Sequence, residues 1–145
     1  MVKVHQTTNV VEAFLALPFV KSIDTYYPDI TDWYVNTVIP GISTGNDVLL
    51  MATKNNTLVG IVLAKLGEER KLRCIRVKDT HVGSGLCMRL IDQALGIIGE
   101  KPLVSVSEEL LHLYSRAFVK RYGFVLTEVI KGKYRKNKLE YYFNH

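Results

Sequence analysis

Long apolar runs are missing from this sequence, and that absence narrows its class. No apolar stretch approaches the roughly 20 residues that a helix needs to cross a bilayer. The first residues, Met1 to His5, also lack the apolar core of a signal peptide. These two absences predict a cytoplasmic protein with no membrane partner.

Cysteine is scarce as well, with only Cys74 and Cys87. Two cysteines in a reducing compartment favour free, buried thiols over a disulfide. Neither they nor the four histidines have the spacing of zinc ligands, so the sequence predicts no metal site. Hydrophobic residues make up 48% of the chain and charged residues 23%, which excludes a disordered protein and favours one folded domain over residues 1–145.

The net charge is +5, and much of the basic excess lies late in the chain. The residues concerned are Arg116, Lys120, Arg121, Lys131, Lys133, Arg135, Lys136 and Lys138. Such a cluster attracts nucleic acid, an acidic substrate or a phosphorylated cofactor, but a solvated basic surface explains it equally well. Charge alone does not decide between these interpretations.

The N-terminal third has the pattern of one strand and two helices. Residues 2–6 form the predicted strand, and Asn9 is a typical N-cap for the first helix. The second helix begins near Ile30, and the pair Pro40-Gly41 is expected to end it. The expected apolar face of the first helix comprises Val10, Val11, Phe14 and Leu15.

Three strands, an amphipathic helix and a fourth strand are predicted next. The first two strands flank the turn Lys54-Asn55-Asn56 and read as a hairpin. A strand, a helix and a strand in succession form a right-handed crossover, so the strands around the helix are expected to be parallel. The predicted ranges are 48–53, 57–64 and 72–77 for the strands, 87–98 for the helix and 102–106 for the last strand.

The last third predicts a helix followed by two strands. Ser105 or Ser107 is expected to cap the helix, with Glu108 and Glu109 in its first turn, and Gly123 is expected to end it. The final strands are predicted at residues 125–134 and 139–143.

A glycine-bearing loop joins the strand at 72–77 to the amphipathic helix. Gly83 and Gly85 flank Ser84 in this loop. The first N–H groups of a helix have no partner within the helix, and the helix dipole favours an anion such as phosphate there. Glycines at turns are common for steric reasons alone, so the order of the surrounding elements gives this motif its weight.

With that order, the chain resembles the GNAT superfamily of acetyl-CoA-dependent N-acetyltransferases over nearly its whole length. Three segments carry the resemblance: Ile75-Arg76-Val77 through Gly85, the apolar pattern Leu86-x-x-x-Leu90-Ile91, and Tyr122-Gly123-Phe124 at a helix end. The resemblance implies a single α/β (α+β) domain. Its sheet would be mixed, mostly antiparallel and of about seven strands, with a central parallel pair that splays to bind CoA and helices on both faces.

The resemblance also implies acetyl-CoA as the acetyl donor. Backbone groups of Ile75, Arg76 and Val77 would face its pantetheine arm as an added strand would. The expected pyrophosphate-binding residues are Thr80, His81, Val82, Gly83, Ser84, Gly85 and Leu86. Thr80 stands where the family has Arg or Gln, so backbone amides would carry more of the binding, helped by Arg89 or a nearby lysine.

The chemistry departs from the family pattern at Val119, because many members have a Tyr there that protonates the leaving thiolate. His112, Ser115 and Val119 share a helical strip that approaches the cofactor in the family. His112 and Ser115 are therefore the candidate catalytic residues, although a partly exposed helix histidine is the favoured interpretation of His112. Tyr114 is expected to be a packed aromatic residue. Direct attack of an amine on the thioester needs no covalent residue.

For the acceptor, the resemblance implies a site between the first two helices and the last strand pair. Tyr26, Tyr27 and Asp29 are the candidate contacts, in a loop expected to be exposed, while Trp33 and Tyr34 are expected to pack on the sheet. The predicted function is acetyl transfer to a primary amine of a small molecule, peptide or protein. A catalytically weak CoA-binding module and an acetyltransferase acting on aminoacyl-tRNA are the alternatives, nucleic acid being the less favoured partner. A homodimer is an open alternative to a monomer.

Overall fold

A seven-stranded mixed sheet forms the middle layer of the molecule, in a computed structural model that describes residues 1–145. The strands are β1 (Lys3–Thr7), β2 (Asp47–Lys54), β3 (Thr57–Lys65), β4 (Lys71–Val77), β5 (Leu103–Ser107), β6 (Leu126–Lys131) and β7 (Leu139–Phe143). The order across the sheet is β1-β2-β3-β4-β5-β7-β6, and only β4 and β5 are parallel neighbours. This confirms the predicted fold class.

Helices cover both faces of the sheet. The helices are α1 (Val10–Leu15), α2 (Leu17–Lys21), α3 (30–44), α4 (Leu86–Ile98) and α5 (111–121). α3 and α5 each contain one π-helical turn, Tyr34–Val38 and Ala117–Arg121 respectively. Helices α1, α2 and α3 pack on one face, which we call the acceptor face, and α4 and α5 pack on the other, which we call the donor face.

The alternation of β2 explains why two separate cores form. Val48 and Leu50 point to the donor face and join a core of 18 buried residues, whereas Leu49 and Met51 point to the acceptor face and join a core of 14. Successive side chains of a strand leave opposite faces of a sheet, so an uninterrupted apolar run fills both cores.

The α1 helix differs from its predicted orientation. Asn9 caps it as predicted, with Oδ1 accepting from the N–H of Val11. The face of Val10, Val11, Phe14 and Leu15, however, is exposed, Val11 by 73%. The small side chains of Ala13 and Ala16 are fully buried instead. Alanine lets a helix approach its neighbours closely, and this close approach outweighs the apolar spacing that suggested the other face.

The pair Pro40-Gly41 does not end α3, contrary to the prediction. The preceding π-helical turn, in which the N–H of Ile39 donates to the carbonyl of Tyr34, places Pro40 in the first turn of a new α-helical segment. Proline is tolerated there because its missing N–H has no intrahelical partner in the first turn. The helix ends at Gly45, whose φ of 84° is left-handed.

Neither Ser105 nor Ser107 caps α5, so that prediction is wrong. The helix begins at Leu111, after one turn in which the N–H of Leu110 donates to the carbonyl of Ser107. Both serine side chains lie on the acceptor face of β5, since β5 alternates with Val104 and Val106 in the donor-face core. Serine cannot cap a helix that starts a full turn later.

Candidate functional site

The centre of the sheet is open between its two parallel strands. β4 and β5 pair only at Lys71 with Leu103 and at Leu72 with Val104. Beyond these pairs, β4 contains a β-bulge. From Leu72 to Ile75 the chain of β4 advances three residues, while the opposite part of β3 advances only two. A bulge bends its strand and increases the local twist. β4 therefore turns away from β5 and leaves the predicted splay.

A cavity of about 540 Å³ occupies this gap. Leu110, Tyr114 and Phe118 line it from α5 on the donor face, and Tyr27 and Trp33 line it from the acceptor face. Small-molecule sites in proteins have volumes of a few hundred to about 1,000 Å³. One cavity thus reaches both faces of the sheet through the gap, and two molecules entering from opposite faces can meet there.

The edge of β4 that faces the gap has no neighbouring strand beyond Leu72. Tyr114 lies against this edge, where its Oη donates to the carbonyl oxygen of Ile75 at 3.0 Å. Burial raises the pKa of Tyr114 above its usual value, so its hydroxyl stays protonated and remains a donor. Free N–H and C=O groups on a strand edge accept an extended molecule as an additional strand would. The guanidinium of Arg76 points to the acceptor face, where Nε donates to Ser22 Oγ.

The glycine loop after β4 has the geometry of an anion site. Gly83 and Gly85 have left-handed φ angles of 81° and 85°. A Cβ at either position would meet no atom within 4 Å, so open space lies over both. The N–H groups of Gly85, Leu86 and Cys87 donate to no acceptor within the protein. Unpaired N–H groups at the start of a 13-residue helix favour an anion.

Cationic side chains lie beside this loop. A recess of about 290 Å³ at the start of α4 is lined by His81 and Gly85 and also by Lys54 and Arg89. Arg89 Nη1 donates to the carbonyl of Val2 at 2.8 Å, which orients the guanidinium. Thr80 Oγ1 lies 2.9 Å from Nδ1 of His81. The charge that Thr80 lacks is thus present nearby on Lys54 and Arg89.

The candidate catalytic strip lies beside the cavity and does not line it. His112 and Val119 are exposed, Val119 by 50%, and Ser115 is half-buried. The cavity wall is formed by the adjacent strip of α5, which carries Tyr114. Tyr114 is a packed aromatic residue, as expected, but its hydroxyl is also the one that α5 presents at the gap.

Of the predicted acceptor contacts, Tyr27 and Asp29 line the cavity. Tyr27 is half-buried, and its Oη donates to Glu140 Oε2 at 2.8 Å. Tyr26 is half-buried beside the cavity, with the guanidinium of Arg135 5.5 Å from its ring centre. Both tyrosines are therefore less exposed than predicted, because the β6–β7 loop covers them.

Two aromatic residues predicted to pack on the sheet differ in their contacts. Tyr34 is fully buried and donates to the carbonyl of Ala13. Trp33 lines the cavity, and the guanidinium of Arg73 lies 5.0 Å from its ring centre. Trp33 therefore belongs to the cavity wall as well as to the packing of α3.

A group of buried polar residues on the acceptor face was missed by the sequence reasoning. Glu140 is only 4% exposed, and burial raises the pKa of its carboxyl above the usual value. The hydroxyls of Ser107 and Tyr142 are buried with no hydrogen-bond partner. The sequence does contain a signal for this group, because Glu140 and Tyr142 are two residues apart on the last predicted strand. Side chains at i and i+2 of a strand leave the same face, so the carboxylate of Glu140 lies on the face of Tyr142.

Positive charge predominates on the cavity wall. Its cationic residues are Lys71, Arg73, Arg76 and Lys133, against the single carboxylate of Asp29. Lys71 is paired with Glu69 and Arg73 with Asp47. Arg76 and Lys133 form no ion pair, so they are available to an anionic group of a ligand.

No group of three or more His, Cys, Asp or Glu side chains is arranged to hold a metal ion. None of the helices combines the length and the apolar character needed to cross a membrane.

No family model matches the sequence, and no curated protein matches it. Solved structures do match the fold. A Desulfovibrio desulfuricans protein assigned to the GNAT family of acetyltransferases is 19% identical, with a TM-score of 0.78 over 99% of this chain and 97% of that chain. The PaiA N-acetyltransferase of Thermoplasma acidophilum, solved with coenzyme A, is 14% identical, with a TM-score of 0.69 over 97% and 98%.

A chain of the NatC complex, solved with a Gag peptide and CoA, is also similar. It is 11% identical, with a TM-score of 0.77 over 98% of this chain and 96% of that chain. At these identities the likeness establishes the fold, and the fold is that of the GNAT acetyltransferases. The resemblance drawn from the three sequence segments is confirmed at this level.

Proposed function

We propose that this protein transfers an acetyl group from acetyl-CoA to a primary amine by direct attack of the amine. The observation that carries the proposal is the cavity that passes through the gap between β4 and β5 and is lined from both faces of the sheet. A donor held along the gap from one face and an acceptor entering from the other would bring their reactive groups together.

The chain offers a fitting site for the donor. The backbone of Ile75, Arg76 and Val77 forms the free edge of β4. Residues 80–86 form the glycine loop, which has unpaired N–H groups and open space over its glycines. Lys54 and Arg89 add positive charge. Solved structures of the same fold contain coenzyme A. Acetyl-CoA would supply an acetyl thioester, which a neutral amine attacks without metal assistance.

The residues of the site favour direct attack over a covalent route. Cys74 is the only nucleophilic thiol on the cavity wall, and burial raises its pKa to about 12. The thiolate form that would be acetylated is therefore scarce near neutral pH. Tyr114 has a hydroxyl donor at the gap, and His112 and Ser115 on the adjoining strip of α5 remain our proposed contacts to the donor.

The charge of the cavity favours an acceptor amine whose molecule also has a negative group. Arg76 and Lys133 are the unpaired cations of the wall. A small amino acid or an acidic peptide fits this charge. An aminoacyl-tRNA fits it too, with the basic β6–β7 loop as its contact. tRNA binding with a steep salt dependence would favour that alternative over the small molecule or peptide.

The test combines binding with turnover. Acetyl-CoA is expected to raise the melting temperature, and a panel of primary amines, matched in size with and without a carboxylate, is expected to release free CoA and yield N-acetyl products detectable by mass spectrometry. The largest kcat/KM is expected among the anionic members of the panel. Acetyl-CoA binding without turnover of any amine would favour the alternative of a CoA-binding module, which is suggested by the two departures from the family pattern at Thr80 and Val119.

A further inference from the structure

Glu140 is a buried carboxylate that has no ion pair. Only 4% of the residue is exposed, and no Lys, Arg or His nitrogen lies within 4.0 Å of its carboxylate. The hydrogen bond at its Oε2 comes from the neutral hydroxyl of Tyr27. Burying an ionised carboxylate without a cation is costly. Stability therefore gives no reason for a glutamate here.

The location of Glu140 suggests a chemical reason. On β7 it pairs with Ser107, the last residue of β5, and lies beyond the point where β4 and β5 separate. Its side chain lies on the acceptor face with that of Tyr142, whose unpartnered hydroxyl belongs to a residue of the cavity wall. Glu140 itself does not line the cavity, but Tyr27, which donates to it, does.

We propose that Tyr27 and Glu140 form a proton relay for the acceptor amine, an inference that rests on the proposed acetyl transfer. The Oη of Tyr27 accepts a hydrogen bond from the amine while it donates to Glu140, as a phenol oxygen can do both. When the amine nitrogen bonds to the acetyl carbon, the thioester C–S bond breaks and CoA leaves as the thiolate, which takes up a proton from water. The N–H bond of the amine breaks and an O–H bond forms on Tyr27. The original phenol proton passes to Glu140, so the carboxylate ends protonated and Tyr27 ends neutral.

The surroundings keep the relay oriented. The ring of Tyr134, from the β6–β7 loop, meets the ring of Tyr27 edge-on with centres 5.1 Å apart. Tyr27 is the catalytic residue in this scheme because it contacts the amine, and Glu140 is a positioning residue that acts through it. Proton transfer by a well-placed side chain contributes about 100-fold or more to a rate.

The relay predicts a pH dependence with a definite sign. Glu140 accepts a proton only as the carboxylate, so kcat rises with pH as Glu140 deprotonates. Burial raises the pKa of Glu140 and so moves the rise of kcat to higher pH. Hydrogen bonds from the hydroxyls of Tyr27 and Ser105 lower the same pKa and oppose this effect. The other titratable groups that interact with the pair are Arg135, Glu109, Tyr134 and Tyr142.

The test uses the full chain and an amine that the wild type acetylates. In Glu140→Gln, which keeps the size of the side chain and an acceptor for Tyr27, kcat is expected to fall about 100-fold and the rise of kcat at low pH to disappear. The KM for the amine and the Kd for acetyl-CoA should change little. Glu140→Asp should recover part of kcat together with the pH dependence.

Tyr27→Phe is expected to lower kcat as Glu140→Gln does, and the double variant should lose no more than either single one, because both residues serve one path. The matched controls are Tyr141→Phe, the neighbouring residue on the opposite face of β7, and Glu128→Gln, an exposed carboxylate on β6. Both controls should keep wild-type kinetics.

The outcomes separate the relay from the proposed function. If the wild type acetylates an amine and Glu140→Gln does so with unchanged kcat and pH profile, the relay is wrong and the transfer stands. If the wild type binds acetyl-CoA and acetylates no amine, the proposed function fails, and the relay fails with it. A melting temperature and an acetyl-CoA affinity like those of the wild type exclude misfolding as the cause of a lost rate.

Discussion

The two halves of the candidate site are built from different materials. The donor half consists of the β4 edge and the loop at residues 80–86, and it offers mainly backbone N–H and C=O groups of consecutive residues. The acceptor half offers side chains from distant parts of the chain, such as Tyr27, Arg76, Lys133 and Glu140. Backbone groups suit a ligand that never changes, whereas side chains can be exchanged to suit another acceptor without disturbing the fold.

The largest expected effect comes from blocking the donor half. Gly83→Glu puts a side chain and a negative charge into the open space over the loop, so acetyl-CoA affinity should fall about 100-fold or more. Isothermal titration calorimetry with acetyl-CoA measures this. Gly45→Glu is the matched control, because Gly45 has a similar φ of 84° and nothing within 4 Å of a Cβ but lies at the end of α3. Equal affinity in Gly83→Glu and the wild type would refute the assignment of the loop.

Arg76 belongs to both halves of the site, because its backbone lies on the free edge of β4 and its side chain points to the acceptor face. Arg76→Gln removes the charge and leaves the backbone. We expect about a tenfold higher KM for anionic amines, little change for neutral amines and an unchanged Kd for acetyl-CoA. Steady-state kinetics with matched amine pairs measures the split. A weakened affinity for acetyl-CoA alone would assign the side chain to the donor half.

Substitutions of Tyr114 and His112 compare the strip of α5 that lines the cavity with the adjacent, more exposed strip. Tyr114→Phe removes the hydroxyl that donates to the Ile75 carbonyl, and kcat should fall roughly tenfold. His112→Ala lies off the cavity wall and should lower kcat less. Single-turnover measurements with saturating acetyl-CoA give both values. The reverse order would make His112 the acid or base and shift the chemistry to the outer strip.

The smallest expected effect concerns the free energy of unfolding, to which Glu109 contributes through its contact with the β6–β7 loop. Two hydrogen bonds from Arg135 lower the pKa of Glu109 to about 2. A carboxyl with a lowered folded-state pKa stabilises the fold above its unfolded pKa and loses that contribution as the pH falls toward 2. Glu109→Gln should therefore cost about 1 kcal/mol at pH 7, since the pair is partly solvated, and less in acid.

Urea unfolding at pH 7 and in acid measures this difference. Glu100→Gln, at an exposed position of the chain, is the control and should leave the free energy of unfolding unchanged. A cost for Glu109→Gln that persists undiminished in acid would show that packing, not charge, holds the β6–β7 loop.

Local patterns predicted most of the fold, including the strand, loop and helix that form the candidate donor half, because strand alternation, helix spacing and a glycine loop act over short stretches of sequence. The failures are equally physical. Ser107 could not be recognised as a buried side chain on the acceptor face, since that depends on where α5 starts. Glu140 was missed because its partner Tyr27 is 113 residues away. The buried face of α1 was mistaken because close packing chose Ala13 over larger apolar residues.

The gap between β4 and β5 also has a mechanical consequence. Strands β1–β4 and β5–β7 are joined across it by only two residue pairs, so the sheet consists of two hydrogen-bonded units with a narrow seam. Such a seam is the natural boundary between cooperative opening units. A molecule that bonds to the β4 edge and fills the seam would couple the two units, and amide exchange on both sides would then slow together.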